Sequence, residues 1–349
     1  ISIKDTQMTR GVRTTQGALI FRDRIPERDA AVVERVRDAG AIILGKTNVP
    51  EFAMVGTCEN LLGPPGRNPW NPAHTPGGSS GGAAAAVAAY LCPIATGSDG
   101  GGSIRIPANF CGIYGIKPTQ GRVSGYTGVD GPPMPYIFSQ NGPLSRTVRD
   151  SALLLQTLAG YDPRDPTTLR EAPPDLVAAV GRDVTGLRIA WSPDLGFADV
   201  EGEVREVTSR AARVLEELGC HVEEADLVLE EPYETFGPLQ AADSYASLGS
   251  YLDTPGVQMT EFARFFIERG AEVTAAEYAR ALGQVDRLKA RFTDLFEDFD
   301  LLLTPTSCFP AFPIGEFPGP VSGRSTYPDL YWNGAFTLPV NVIGHTAAT

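Results

Sequence analysis

Two turns rich in glycine and serine constrain this chain most, because each joins apolar segments through a backbone that few other residues could follow. The first runs from Pro76 to Gly82 and leads into an alanine-rich segment. The second runs from Gly97 to Arg105 and follows a short apolar run at 94–96. Glycine reaches unusual backbone angles, and consecutive N–H groups in such a turn attract negative charge. A serine beside them has the surroundings of an oxyanion site, although a single turn of this kind also suits a flexible loop or a phosphate site.

Short apolar runs alternate with amphipathic segments along the chain, which predicts strands alternating with helices. Strands are expected at 41–44, 94–96, 187–191, 220–225 and 301–303. Helices are expected at 29–38 with Asp29 as cap, 83–90, 147–159, 204–218, within 233–252, 260–270 and 275–298. The pattern predicts one large α/β domain, 1–349, with a mixed and mostly parallel sheet flanked by helices. Because the chain opens without Met and stops straight after an apolar stretch, we expect the domain to be incomplete at both ends.

Charge and reactive side chains argue against several classes of protein. Lys and Arg total 29 against 42 Asp and Glu, and a net charge of -13 disfavours nucleic acid and anionic membranes because it repels phosphates. Five cysteines without a Cys-x-x-Cys pair predict reduced thiols rather than disulfides or a zinc site. The three histidines form no metal-ligand pair at helical spacing, and no apolar run approaches 18 residues. We therefore expect a cytoplasmic protein with no metal, no other cofactor and no membrane span.

A serine nucleophile needs a general base, because a free hydroxyl is almost never ionised near neutral pH. His74 lies in a proline-flanked loop, His221 in a half-exposed strand and His345 near the end of the chain, so each is a weak candidate. Lysine is the other known partner of a catalytic serine, and Lys4 lies in a predicted strand. Taken alone, a lysine in that position is more often an ordinary surface residue.

Several segments together resemble the amidase signature family. The most specific are 3–6 (IKDT), 77–82 (GGSSGG) and 97–105 (GSDGGGSIR), and the similarity extends through 45–48, 68–70, 115–118 and 141–147. The intervals of 75 residues from Lys4 to Ser79 and of 24 from Ser79 to Ser103 also resemble the family's spacing. The resemblance is dense over 1–160 and thin beyond, mainly at 301–306 and 336–345. It implies a catalytic core at 1–160 and a helical, substrate-specificity region at 161–349.

The resemblance implies a Ser–cis-Ser–Lys triad formed by Ser103, Ser79 and Lys4. Ser103 would attack the amide carbonyl, Ser79 would carry a cis peptide bond and relay protons, and Lys4 would be the neutral base. A free lysine has a pKa of about 10.4, so burial must lower the pKa of Lys4 by roughly 2–3 units for this role. A non-catalytic binding module would have no reason to keep the three residues at these intervals.

Further roles follow from the same resemblance. The oxyanion would be held by the backbone N–H groups of Gly100, Gly101, Gly102 and Ser103. Ser80 would order the loop, and Ala53 would lie near the substrate. Asp99 and Arg105 flank the nucleophile and would form a structural ion pair, with a helix-capping role for Asp99 as the alternative.

Substrate choice is not readable from the sequence. Aromatic residues that could line an acyl pocket, or simply belong to the core, are Tyr126, Tyr136, Phe138, Phe236, Tyr245, Phe265, Phe266, Tyr331 and Trp332.

A rival class of function comes from 40–47, which matches the Walker A pattern of nucleotide-binding proteins. The four residues between the glycines are apolar and mostly β-branched, so they predict a strand rather than a phosphate-binding loop. Pro50 follows where the helix of such a motif should be running.

Within the family, the alternative is the amidase (A) subunit of a glutamyl-tRNA amidotransferase. The segments 51–54 and 59–60 resemble that branch. Ile106 stands where that subunit usually carries Gln, and 138–143 looks more like stand-alone amidases. We therefore expect a small-molecule amide substrate, no nucleic acid, no membrane span in this chain and at most a homodimer.

Overall fold

Strands and helices alternate along the chain as the sequence predicts. A computed structural model describes residues 1–129, 138–316, 321 and 334–349. The strands found there are β1 (Ser2–Lys4), β2 (Gly45–Thr47), β3 (Ile94–Asp99), β4 (Tyr114–Lys117), β5 (Gln140–Ser145), β6 (Arg188–Trp191), β7 (His221–Glu224), β8 (Leu301–Leu303) and β9 (Ala347–Ala348). The α-helices are α1 (Ala31–Asp38), α2 (Gly81–Ala88), α3 (Arg105–Cys111), α4 (Val148–Leu158), α5 (Leu176–Ala179), α6 (Gly202–Glu217), α7 (Tyr233–Leu248), α8 (Glu261–Ala271), α9 (Ala275–Asp298) and α10 (Leu338–Ile343).

The strands form two sheets. The six-stranded sheet has the order β2-β1-β3-β5-β4-β9, in which β1 pairs in parallel with β2 and β3 and the other pairs are antiparallel. The three-stranded sheet, β7-β6-β8, is parallel throughout. The predicted α/β domain with a mixed sheet flanked by helices is thereby confirmed. Because β1 and β3 are parallel neighbours, their carboxyl ends meet at one edge, and this juxtaposition brings Lys4 next to the second glycine turn.

Local signals fix the ends of several helices. Thr147 caps α4, Thr260 caps α8, and Thr274 forms a capping box with Glu277 at the start of α9. These helices begin and end within two residues of the predicted bounds, because cap and apolar periodicity are both local properties of the sequence.

The strand predicted at 41–44 lies instead at Gly45–Thr47. β2 is an edge strand, so the residues that approach it are covered on one side only. Ala41 and Ile43 pack against the cluster around α1 and α4, while Ile42 is 78% exposed and Leu44 61% exposed. The apolar run is therefore half-buried rather than a fully buried strand.

The cap predicted for α1 is wrong, and α6 is less buried than its sequence pattern indicates. Asp29 does not cap α1: the cap residue is Ala30, and Asp29 accepts the Arg10 N–H at 2.6 Å and pairs with Arg37. Apolar residues recur at helical spacing along 204–218 and form a stripe on α6, but this stripe is not buried as a whole, since Ala212 alone is buried in that helix. A three-stranded sheet offers this helix only a narrow contact surface.

Within the described residues, no helix combines the length and the apolar character needed to cross a membrane.

Candidate active site

Lys4 ends β1 and is fully buried. Its Nζ lies 2.8 Å from Ser79 Oγ and donates to the Ser98 carbonyl at 3.1 Å. Burial lowers the pKa of Lys4 to about 7, although the charge of Asp99 acts in the opposite direction. A lysine in these surroundings is substantially neutral near neutral pH, so its lone pair can accept a proton from Ser79.

Ser79 belongs to the first glycine turn, and its peptide bond with Gly78 is cis, as the resemblance implies. The turn is packed so closely that only glycine fits at 78: a Cβ there would lie 1.8 Å from the Thr57 carbonyl oxygen. Ser80 joins this turn to the second one, because its N–H donates to the Ser103 carbonyl at 3.1 Å and its hydroxyl donates to the Ser98 carbonyl at 3.3 Å. The two serine-bearing turns are thus one unit.

Ser103 lies in the turn between β3 and α3, and the backbone of this turn is held by side chains of Asp99 and Thr337. Gly102 has φ +125°, and its N–H donates to Asp99 Oδ1 at 2.7 Å. The Gly101 carbonyl accepts the Thr337 hydroxyl at 2.7 Å. Gly100, Gly101 and Ser103 line the cavity, whereas Gly102 is absent from its described lining.

Asp99 and Arg105 form a buried ion pair beneath this turn, with 2.9 Å between Arg105 Nε and Asp99 Oδ2. Asp99 also accepts N–H groups at the start of α3, so the same carboxylate pairs and caps. Burial acts to raise the pKa of Asp99, but the Arg105 guanidinium outweighs it and holds the pKa well below its usual range. Asn341 of α10 completes the cluster by donating to the Asp99 carbonyl at 2.9 Å and accepting from Arg105.

Ser79 and Ser103 both line a cavity of about 340 Å³. Its described lining has no Lys, Arg, Asp, Glu or His side chain. Ala53 lies on this wall, as predicted, and Ile106 does too. Such a lining suits an uncharged, largely apolar group bound to the reacting carbonyl.

The predicted pocket aromatics divide into three groups. Those that line the cavity are Tyr126, Phe236 and Phe266. Phe138 packs behind Phe236 with 6.1 Å between ring centroids, and neither Tyr245 nor Phe265 belongs to the described lining. The remaining three, Tyr136, Tyr331 and Trp332, lie outside the described residues.

The three histidines and the Walker-like motif do not belong to the described lining of this cavity. His74 lines a second cavity, His221 is exposed, and His345 stacks on Phe296 with 5.4 Å between centroids. Lys46 of the Walker-like motif donates to Thr9 Oγ1 at 2.8 Å, and a single 3-10 turn rather than a helix follows it. The motif therefore has neither a free lysine nor the helix N-terminus that phosphates require.

Several residues of the site were not predicted. Gln7 Nε2 bridges the Gly97 carbonyl at 3.2 Å and Asn141 Oδ1 at 3.0 Å. Thr337 and Asn341 support the turn that bears Ser103 from the far end of the described chain. One signal existed: Asn341 is a lone polar residue in the apolar segment 338–343, and a buried amide there requires partners.

Comparison with known proteins shows one consistent resemblance. A family model described as Amidase matches residues 1–349. The A subunit of the glutamyl-tRNA(Gln) amidotransferase of Carboxydothermus hydrogenoformans is 39% identical over 99% of this chain and 74% of its own length. An acylamidase of Rhodococcus erythropolis is also 39% identical, over 100% of this chain and 73% of its own length.

Solved structures agree. A bacterial aryl acylamidase of the amidase signature family superposes with a TM-score of 0.88 and 29% identity, covering 100% of this chain and 75% of that one. The A subunit of the glutamyl-tRNA(Gln) amidotransferase from Thermotoga maritima gives a TM-score of 0.81 and 34% identity, covering 99% of this chain and 74% of that one.

One sequence-based prediction is overturned by these relatives. We expected a small-molecule amide, no nucleic acid and at most a homodimer as the interactions of the chain. Relatives at 37–39% identity are instead named as the A subunit of a glutamyl-tRNA(Gln) amidotransferase, and so as one part of a multi-subunit enzyme. The prediction rested on Ile106 and on the segment 138–143, and a few positions near the predicted site carry no information about which protein surfaces the chain presents.

Proposed function

The chain belongs to the Amidase family, whose members are hydrolases acting on amides, and from that premise we propose that it cleaves a carboxylic amide through an acyl-Ser103 intermediate. The observation that supports this most is the buried contact of 2.8 Å between Lys4 Nζ and Ser79 Oγ. A lysine with a pKa of about 7 can take up a proton that an ordinary lysine, already charged, could not.

The reaction has two halves. Ser103 Oγ attacks the amide carbonyl carbon while its proton passes to Ser79 and the Ser79 proton passes to Lys4. The resulting oxyanion is held by backbone N–H groups of Gly100, Gly101 and Ser103, because the fourth predicted donor, at Gly102, is used by Asp99. The C–N bond then breaks as the leaving nitrogen takes a proton back through Ser79, and water hydrolyses the ester.

The supporting residues receive structural roles in this proposal. Asp99 and Arg105 keep the nucleophile turn in place, and Ser80 joins the two turns. The proposed division between a core at 1–160 and a specificity region at 161–349 fits the triad in the first part and Phe236 and Phe266 in the second. A cytoplasmic location stays a prediction.

Three variants test the catalytic assignment: Ser103→Ala, Ser79→Ala and Lys4→Ala. We expect each to lower amide hydrolysis by at least about 10²-fold, the lower range for loss of acid–base catalysis, while circular dichroism shows an intact fold. A fluorophosphonate should attach to Ser103 in the wild type, as peptide mass spectrometry would show. Near-normal activity of Lys4→Ala would remove lysine from the mechanism.

A second candidate is the amidase component of an amidotransferase, in which the acyl-Ser103 chemistry would release the amide nitrogen of a donor such as glutamine. The names of relatives at 37–39% identity favour it. The described lining, being uncharged, offers no ion pair for the ammonium and carboxylate of glutamine, so these would need partners outside that lining. Ile106, in place of the usual Gln, faces the same cavity.

Glutamine and 4-nitroacetanilide separate the two candidates. Ammonia release from glutamine that depends on the other subunits of such an amidotransferase would establish the amidotransferase role. Anilide hydrolysis by the chain, unchanged by those subunits and without glutamine turnover, would establish the acylamidase role.

A further inference from the structure

The wall of the cavity at Phe52 and Ala53 has an unusual backbone. Phe52 has φ 52° and Ala53 has φ 60°, so two successive non-glycine residues are left-handed. Each such residue is strained and persists only where surrounding contacts impose it. Both line the cavity that contains Ser103. The shape of this wall therefore depends on whatever holds the turn.

Beside its own local hydrogen bonds, polar contacts tie the turn to two distant parts of the chain. The Phe52 N–H donates to the Gln16 carbonyl at 2.8 Å. The preceding residue, Glu51, is 3% exposed, and its Oε2 accepts the Thr260 N–H at 2.6 Å and the Thr260 hydroxyl at 2.8 Å. Glu51 itself is absent from the described lining of the cavity.

Thr260 is the cap residue of α8, and α8 forms part of the same cavity through Phe262 and Phe266. Glu51 thus connects two separate parts of the wall, the strained turn and the first turn of α8. A carboxylate at a helix N-terminus is stabilised by the free N–H groups there. Its other oxygen, Oε1, is buried and has no hydrogen-bond partner among the described residues, so the two bonds from Thr260 are the ones that hold this side chain there.

We propose that Glu51 is a positioning residue that sets which acyl groups the cavity accepts, by fixing the Phe52–Ala53 turn to the N-terminus of α8. The proposal rests on the proposed function, since the cavity holds an acyl group only if Ser103 is the nucleophile. Without this link the turn can relax to ordinary angles, which moves both Phe52 and Ala53. Large groups would lose their fitted wall, whereas groups too small to reach it would be unaffected.

Two reversible serine ligands of different size test this: methylboronic acid and phenylboronic acid, each measured by the concentration that protects Ser103 from a fluorophosphonate. In Glu51→Ala we expect the preference for phenylboronic over methylboronic acid to fall about tenfold, with methylboronic protection unchanged. Glu51→Gln should retain the preference, because its amide oxygen still accepts from Thr260. The exposed Glu261→Ala, in the first turn of α8, is the matched control.

Thr260→Val tests the same link from its other end and should shift the preference in the same direction by a smaller factor. An unchanged preference in Glu51→Ala, or equal weakening of both ligands together with slower labelling, would overturn the proposal and leave Glu51 an ordinary stabilising residue. A wild type that no fluorophosphonate labels would overturn the proposed function first, and this inference with it.

Discussion

Lys4 is the residue on which the proposed chemistry depends, and its pKa of about 7 fixes how activity should respond to pH. Only neutral Lys4 accepts a proton, so kcat/KM for amide hydrolysis should rise with pH, reach half its maximum near pH 7 and level off above. Well below pH 7 it should fall about tenfold per pH unit, as for one titrating base. The rate of fluorophosphonate labelling should follow the same curve, and a midpoint near the ordinary lysine value would contradict the assignment.

Lys117 is a second buried lysine, and its protonation affects the free energy of unfolding. Its Nζ donates to the Pro118 carbonyl at 2.9 Å. Burial, with the nearby charge of Arg105, lowers its pKa to about 7. Between pH 7 and 10.5 the unfolded lysine binds a proton that the folded one releases, so the free energy of unfolding rises with pH.

Lys117→Met removes this contribution. The unfolding free energy of the wild type minus that of the variant should increase by up to about 1.4 kcal/mol per pH unit between pH 7 and 9. Urea unfolding at pH 7, 8 and 9 measures it, with the exposed Lys289→Met as control. Parallel curves for wild type and Lys117→Met would show that Lys117 is charged in the folded protein.

Among the helices, two glycines with different surroundings should respond to an alanine substitution in opposite directions. A Cβ on Gly270 of α8 would lie 2.0 Å from the Ala241 carbonyl oxygen of α7, whereas a Cβ on Gly283 of α9 would meet nothing within 4 Å. Gly283→Ala should stabilise by about 0.5–1 kcal/mol through helix propensity. Gly270→Ala should destabilise by at least about 1–3 kcal/mol, because α7 and α8 must separate. Denaturant midpoints of the two variants check this, and equal shifts would contradict the close packing.

At the scale of single helices and strands, the sequence could predict the features that depend on neighbouring residues alone. The bounds of α4, α8 and α9 were predictable because cap and periodicity lie within each segment. The exposure of Ile42 was not predictable, because it depends on which strand lies at the edge of the larger sheet. The exposure of the apolar stripe of α6 was not predictable either, because it depends on the width of the smaller sheet. Glu51 shows the same limit, because its partner Thr260 is 209 residues away.

Across the whole molecule, the residues of the proposed triad and their sequence neighbours could be selected from the sequence, whereas the support that comes from the far end of the described chain could not. Lys4, Ser79 and Ser103 belong to segments whose resemblance and spacing can be read directly. Thr337 and Asn341 reach the same turn only because the fold returns the end of the described chain to the end of β3. The nucleophile turn therefore depends on both halves of the sequence.

Asn341 provides the sharpest test of that dependence. It is buried, donates to the backbone and carboxylate of Asp99 and to the Phe138 carbonyl, and accepts from Arg105. Asn341→Ala removes one partner from each of these buried groups while the Asp99–Arg105 pair remains, so we expect a loss of about 1–3 kcal/mol of stability. At temperatures where the variant remains folded, kcat should still fall about 10²-fold, because the turn bearing Ser103 is no longer held in position. Stopped assays at low temperature, beside denaturant unfolding, measure the two effects separately.

The exposed Asn109→Ala is the control and should show neither the loss of stability nor the loss of kcat. Full kcat in a destabilised Asn341→Ala would mean that the turn bearing Ser103 is held without Asn341, and that Asn341 serves only the stability of the fold.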